Sequence, residues 1–477
     1  MIINGLDDDE QATLSELWKV WTSKLPRNMT RSVYYDHKQK LVDLGIAIPP
    51  HLTDIDLVLG WPAKAVDVLA RRCKLERFFI PGTDEDPLGV QDLWRANDME
   101  IELPQSITAS LLHSCSFMTA TPGGHGEPDV LISSQSALYG AGVWDFKLHQ
   151  LKSALSITEF NDRGLVQQLL FFMRGKTVQC SRSGGNSWQI DRFINNLSRL
   201  PVEVLPYDPQ LHRPFGSSRI NRTVMGLTDS ALRTLFRMEI SAEFYSSPQR
   251  WIMGADESMF VDEQGNPKGQ WEAILGRVWA AGRNEDGNAP AVGEFRPASQ
   301  QPHIEQMRSL ASIFASETSL PLRALGIVQD NPSSAEAMEY EERDLIQEAR
   351  YAMGCYGPRI VRLMQTALQI RDGWDEMPAE VAQLSARWSN PANPAAAAMA
   401  DAEVELFGAI PELRTSSIPF EMMDWDNATI ERAMADIRRA GVSAVMDQLL
   451  RQRPQVNDGG NPAGATIPAG SSQPTGE

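Results

Sequence analysis

The sequence predicts an α+β chain built from several domains, and three observations carry this. Apolar residues recur at three- and four-residue steps toward both ends of the chain, the period of helices with one buried face. Between residues 117 and 227 the texture shifts to Thr, Ser, Gly and Val in short alternating runs, the period of strands. Two helical stretches, 229–246 and 303–319, flank a short insert of strands and turns, 249–299. The 477 residues exceed what one hydrophobic core serves, and the 42% hydrophobic content is enough for roughly two to four cores.

Taken in order, residues 8–24 read as a helix with Leu14, Leu17, Trp18 and Trp21 on one face, and residues 30–44 as a second with Val33, Tyr34, His37, Leu41 and Leu44. Trp61-Pro62 opens a third, with Val66, Leu69 and Ala70 inward and Arg71-Arg72 at the end that favours cations. Helices are also expected over 88–97 and 106–115. The strand-rich region follows, with turn signals at Gly123-Gly124 and Gly184-Gly185-Asn186. Within it, Leu169 to Met173 is far too short to cross a membrane and reads as core. Thr228 reads as the cap of helix 229–246, and Pro248 stops it. The insert has short runs at 251–253, 260–261, 277–279 and 292–295, and Pro302 opens helix 303–319.

A loop then leads into a long helix. Asn331-Pro332 disfavours helix, Ser333 is a good cap, and Glu336 has capping-box spacing. A kink is expected at Gly357-Pro358. The acids from Glu336 to Glu348 read as a solvated face or, alternatively, a face meeting a second subunit. Residues 378–452 read as all helical, and the tail from Pro454 has no periodicity and reads as disordered.

The net charge of −18 argues against sequence-independent DNA gripping, which needs clustered Lys and Arg. Cys73, Cys115, Cys180 and Cys355 form no CxxC pair and read as buried or free thiols. The stretch MIINGLDDDE lacks the basic and apolar regions of a signal peptide, so an intracellular setting is expected. The histidines form no HExxH or HxxxH, and His125 reads as a turn residue. The Gly-rich stretches lack a following Lys-Ser/Thr, and there is no Gly-x-Ser-x-Gly elbow. No cofactor or metal is expected. One enzymatic alternative stands: Asp129, with Asp145 and Lys147, imitates the two acids and a lysine of a metal-dependent nuclease.

The order helix, insert, helix suggests a small head on a stalk. Within that order lie Arg213-Pro214-Phe215-Gly216-Ser217-Ser218-Arg219-Ile220, the stretch Ala242 to Trp251, Leu320-Pro321, Leu325-Gly326 and Asn331-Pro332-Ser333-Ser334-Ala335-Glu336-Ala337. Tyr34-Tyr35 and the Trp61-Pro62-Ala63 helix precede them. Over roughly residues 30–372 the chain resembles the portal proteins of tailed bacteriophages, the head-to-tail connectors; the part beyond Met377 departs from it.

The resemblance implies a portal-type subunit with N-terminal helices and an α/β wing (1–227), a two-helix stem (228–247 and 303–320) and a strand-rich clip (248–302). A tunnel loop (321–333), a long kinked helix (334–375), a helical crown (376–453) and a disordered tail (454–477) complete it. It implies a ring of about twelve copies at one capsid vertex, a channel for double-stranded DNA in packaging and ejection, and no catalysis by this chain. The implied partners are the terminase large subunit, major capsid and scaffold proteins, and head-tail adaptor proteins, with no membrane. The implied location is the virion, after assembly in the host cytoplasm.

The tunnel loop would present Gln329, Asp330, Asn331, Ser333 and Ser334 to DNA, with Arg308 and Arg323 as channel cations. Trp251, Trp271 and Trp279 would be clip contacts or, alternatively, core anchors of a small domain. About twelve copies at −18 sum to roughly −200, a lining past which DNA slides without sticking. Another capsid-associated structural adaptor is the further alternative.

Overall fold

The computed structural model describes residues 1–40, 57–81, 86, 88–183, 187–245, 250–253, 291–294, 299–327 and 335–392, and, further on, 410, 419–420, 425, 429–430 and 432–439. The chain forms two compact units, Met1–Ala392 and Asn393–Glu477. In the second, residues 432–439 are helical. The architecture below is that of the first.

Helix α1 (Asp8–Tyr35) runs as one piece where the periodicity predicts two helices. Pro26 removes a backbone donor in its middle. Tertiary bonds on both sides hold the helix straight through: Trp21 Nε1 donates to the Leu138 carbonyl at 2.8 Å, and the buried Asn28 amide donates to the Ala137 carbonyl at 3.1 Å. Its start is a capping box that the periodicity does not announce. Asp7 accepts from the Glu10 N–H at 2.8 Å, and Glu10 accepts from the Asp7 N–H at 3.0 Å.

Glu10 is fully buried, with Arg192 at 2.8 Å and Lys176 at 2.9 Å. Their hydrogen bonds, Arg192 first, hold its carboxyl down to about 2 from an ordinary 4.5. A depressed folded-state value stabilises above the unfolded value and is lost as pH falls through the folded one. Wild-type unfolding free energy should therefore fall between pH 4.5 and 2, and Glu10→Gln should flatten that part of the profile in acid titrations followed by circular dichroism. An unchanged slope in the variant would contradict this.

Strands β1 (Leu75–Phe79), β2 (Cys115–Pro122), β3 (Val130–Ser136), β4 (Gly140–Asp145), β5 (Gln150–Phe160), β6 (Val166–Met173), β7 (Lys176–Ser183), β8 (Ser187–Ile194) and β9 (Val202–Pro206) supply the sheets. The hairpins β4 to β8 form a five-stranded antiparallel meander in sequence order. Leu14, Leu17 and Trp21 of α1 pack on its Leu155, Ile157, Leu169, Phe171 and Val178. The expected core run therefore lies in β6.

Strands β3, β2 and β9 form a second antiparallel sheet in that order. The helices around it are α2 (Trp61–Ala70), α3 (Val90–Ala96), α4 (Met99–His113) and a later, 38-residue helix, Ala335–Asp372. Leu69, Leu103, Ile107 and Leu111 join Met118, Ile132, Leu205, Tyr356, Ile360 and Leu363 in the largest core. Tyr356 is fully buried, and its hydroxyl donates to Ser110 Oγ at 3.1 Å. Cys73, Cys115 and Cys180 are buried free thiols, and burial pushes each up to about 12.

The periodicity predicts an all-helical stretch after Pro378, and the structure departs from this. Past the single helical turn Ala379–Ala382, residues Ser385–Trp388 form a strand antiparallel to β1. Arg387 pairs with Glu76 across it at 2.9 Å. Trp388 lies against Gly357, where an added Cβ would come 3.2 Å from the indole. The long helix continues through Gly357 and Pro358 without a break. Among the described residues no helix is long and apolar enough to cross a membrane.

Candidate functional site: an anchored helix pair

Helix α5 (Arg222–Tyr245) begins well before the expected Thr228. Its cap is Asn221, whose side-chain oxygen accepts the Val224 N–H at 2.9 Å. Thr228 lies inside the helix, buried, with its hydroxyl donating to the Val224 carbonyl at 2.8 Å. Helix α6 (Gln301–Thr318) has Pro302 in its first turn, where the missing N–H costs nothing.

The Asn221 amide donates to Glu317 at 2.9 Å, so the start of α5 meets the end of α6 and the two run antiparallel. Strands β10 (Arg250–Met253) and β11 (Ala291–Glu294) pair antiparallel beyond the far ends of the helices. Trp251 faces Gly293, where a Cβ would come 2.3 Å from the indole. That ring is a half-buried cross-strand anchor. Trp271 and Trp279 lie outside the described residues.

The near end of the pair is bolted to the body. Arg219 is buried just ahead of α5. Its Nε donates to the Ala65 carbonyl at 2.5 Å, its Nη1 to the Tyr207 hydroxyl at 3.0 Å, and its Nη2 to the Thr318 carbonyl. Tyr207 in turn donates to Glu348, 3.9 Å from the same guanidinium. One side chain thus links α2, the end of β9, the end of α6 and the long helix, α7 (Ala335–Asp372). The Tyr34 hydroxyl donates to Asp229 on α5 at 3.0 Å, and that of Tyr35 to Asp67 on α2 at 2.8 Å.

After α6, Leu320 is core and Leu322–Leu325 forms one 3-10 turn, so the front of the expected tunnel loop is packed structure. Arg323 is not a free channel cation. It pairs with Glu342 of α7, which also holds Arg72 at 2.7 Å. Arg72 donates further to the Pro391 carbonyl at 2.5 Å. The acids of α7 are therefore not one solvated face: Glu342 and Glu348 turn inward, while Asp344 is exposed. Arg308 is exposed on α6 and makes no ion pair among the described residues. Gln329, Asp330, Asn331, Ser333 and Ser334, with the expected cap of α7, lie outside the described residues.

The nuclease constellation does not assemble among the described side chains. Asp145 ends β4, and its carboxylate accepts the Lys147 and Leu148 N–H groups of the hairpin turn at 2.8 and 3.1 Å. The Leu148 and Lys147 amides hold its pKa below the usual range. Asp129 is exposed just ahead of β3, which belongs to the other sheet. Among the described residues no three His, Cys, Asp or Glu come together in a metal-holding group. The arrangement is mechanical: a two-helix arm, rooted through charged and hydrogen-bonded groups, with a strand pair at its tip.

The sequence reading missed Arg219, Tyr207 and Glu348, whose partners lie far apart in the chain. The one local signal was the packing of Gly216 and Arg219 into a single short motif.

The family described as phage portal protein, SPP1 Gp6-like, matches residues 14–440. The portal protein of Mycobacterium phage L5 is 27% identical over 384 residues, which cover 79% of this chain and 77% of that protein. The portal protein of Mycobacterium phage D29 is 26% identical over the same length, covering 79% and 78%. Among solved structures, a chain in the neck of a native GTA particle computed with C12 symmetry aligns at a TM-score of 0.40 and 16% identity. That alignment covers 76% of this chain and 89% of that one, and it is too loose to argue from. The family match, which spans most of the sequence, decides the assignment: this chain belongs to the SPP1 Gp6-like phage portal proteins.

Proposed function

We propose that this chain is the subunit of a ring of about twelve copies at one vertex of a phage capsid. The ring conducts double-stranded DNA during packaging and ejection. The chain catalyses nothing itself; the terminase large subunit supplies the motor and docks on the clip, 248–302. Head-tail adaptor proteins take that place later, and major capsid and scaffold proteins surround the wing. In this reading α5 and α6 are the stem, residues 1–227 are chiefly the wing, and 376–453 form the crown. The loop through Gln329, Asp330, Asn331, Ser333 and Ser334 meets the DNA. The protein acts in the virion and assembles in the host cytoplasm.

The observation that carries the reading is the antiparallel pair α5 and α6, fixed at one end by Arg219 and bearing β10 and β11 beyond the other. Such an arm projects an insert while its root stays rigid. The charge agrees: at −18 per subunit, a ring repels the phosphate backbone wherever cations are not placed locally. Arg308, exposed and without an ion pair among the described residues, is one stem cation that stays available.

Native mass spectrometry of the purified full chain is the test. A closed ring of about twelve subunits is expected. A stable monomer or dimer across micromolar concentrations would sink the reading.

A further inference from the structure

A cleft of about 410 Å³ opens between the C-terminal half of α1 and the 207–219 loop. Four arginines line it: Arg27, Arg31, Arg213 and Arg219. Among the described residues only Arg219 of the four lies within ion-pair distance of a carboxylate, that of Glu348 at 3.9 Å. Arg31 donates to the His113 carbonyl at 3.1 Å and to Asn28 Oδ1 at 3.4 Å, both neutral acceptors. Arg27 and Arg213 make no ion pair among the described residues, and both are exposed.

The acids on the same wall are engaged elsewhere. Asp208 accepts from the Tyr351 hydroxyl at 3.4 Å, and Glu317 accepts from Asn221 at 2.9 Å. The Ser217 hydroxyl, also on the wall, is buried without a hydrogen-bond partner. A buried polar group left unmet is uncommon and asks for a partner.

Arg27 and Arg31 are one helical turn apart on one face, a like-charge spacing that repels. Burial, and then the Arg27 charge, push Arg31 down to about 10. A chain with 62 Asp and Glu against 44 Lys and Arg has no shortage of carboxylates to place here, yet none among the described residues pairs with Arg27, Arg31 or Arg213. Guanidinium groups are built for two-oxygen anions, which they bind through paired N–H donors. At about 410 Å³ the cleft has room for a side chain and its surroundings and is far too small to admit a duplex.

We propose that this cleft receives a carboxylate side chain from the neighbouring copy of this chain. The inference rests on the ring reading above and adds to it the receiving half of a head-to-tail contact. In such a contact the donating carboxylate and the basic cleft lie on different surfaces of one subunit, which is what a closing ring requires. Charge complementarity favours a second copy, because each copy carries a net charge of −18.

The test is the full chain carrying Arg27→Glu with Arg213→Glu, compared with Arg27→Lys with Arg213→Lys. Both positions are exposed, so the fold should survive, and thermal unfolding of each variant checks this. Native mass spectrometry should find rings for the wild type and the lysine pair. For the glutamate pair the ring fraction at equal concentration should fall by more than about tenfold. Wild-type rings together with equally stable glutamate-pair rings would overturn the inference and leave the ring reading standing. Glutamate-pair rings that persist but no longer retain duplex DNA would overturn it in favour of a nucleic-acid occupant. A wild type that never forms rings would end both.

Discussion

Replacing Arg219 with alanine should lower the unfolding free energy by about 3–5 kcal/mol, the range for breaking a buried charged pair on one side. The side chain is only 5% exposed, and among the residues it leaves behind Ala65, Tyr207 and Thr318 are buried. The Ala65 and Thr318 carbonyls lose their donors, and Glu348 keeps only Tyr207. Burial pushes the Tyr207 hydroxyl up, so it remains a proton donor to Glu348 and cannot replace the lost cation. Arg219→Lys should recover little, because one ammonium cannot reach three acceptors that a planar fork meets at once. Arg219→Met keeps the volume and separates packing from charge; it should remain well below the wild type for the same orphaned acceptors. Denaturant unfolding followed by tryptophan fluorescence measures the difference. An alanine variant within about 1 kcal/mol of wild type would refute the central place given to this residue.

The contrast between Arg219 and its surroundings shows what a sequence carries. Local signals locate helices well. Trp61-Pro62 and Pro302 mark their helix starts, and the periodicity of Leu14, Leu17 and Trp21 identifies the face that packs on the meander. The order of helix, insert and helix was also legible, and with it the family. Signals fail where a distant partner decides. Thr228 has every local quality of a cap, but Asn221, seven residues earlier, wins because its amide also reaches Glu317 of α6.

Pro26 looks like a break until Leu138 and Ala137 hold the helix on either side of it. Ser385–Trp388 has no alternation long enough to announce a strand, and pairing with β1 makes it one. The acids of α7 divide by partner, not by spacing: Arg72 and Arg323 claim Glu342, and Tyr207 claims Glu348. For the same reason Arg323, read as a channel cation from its position alone, shares the Glu342 carboxylate with Arg72.

Gly216→Ala should cost about 3 kcal/mol or more, the sum of a left-handed backbone conformation and a backbone clash. Gly216 sits at φ +71°, and a Cβ there would come 1.9 Å from the Tyr207 carbonyl oxygen and 3.1 Å from that of Ser114. Neither atom can yield easily. The Tyr207 carbonyl accepts the Ser217 N–H at 2.7 Å, and the Tyr207 N–H donates to the Ser114 carbonyl at 3.0 Å. The methyl group must therefore push Tyr207 itself, and Tyr207 carries the contacts to Arg219 and Glu348. The damage reaches the root of the α5 and α6 pair through one residue.

Gly164 is the internal control. It has φ +72°, almost the same conformation, but nothing lies within 4 Å of its added Cβ. Gly164→Ala should cost only the conformational part, about 1–2 kcal/mol. The difference between the two alanine variants in thermal or denaturant unfolding isolates the clash from the backbone. Equal losses would mean that the loop gives way without moving Tyr207. The Arg213 to Ile220 motif would then owe its form to something other than the fit of Gly216 beneath Tyr207, and the link from that loop to the helix pair would run through Arg219 alone.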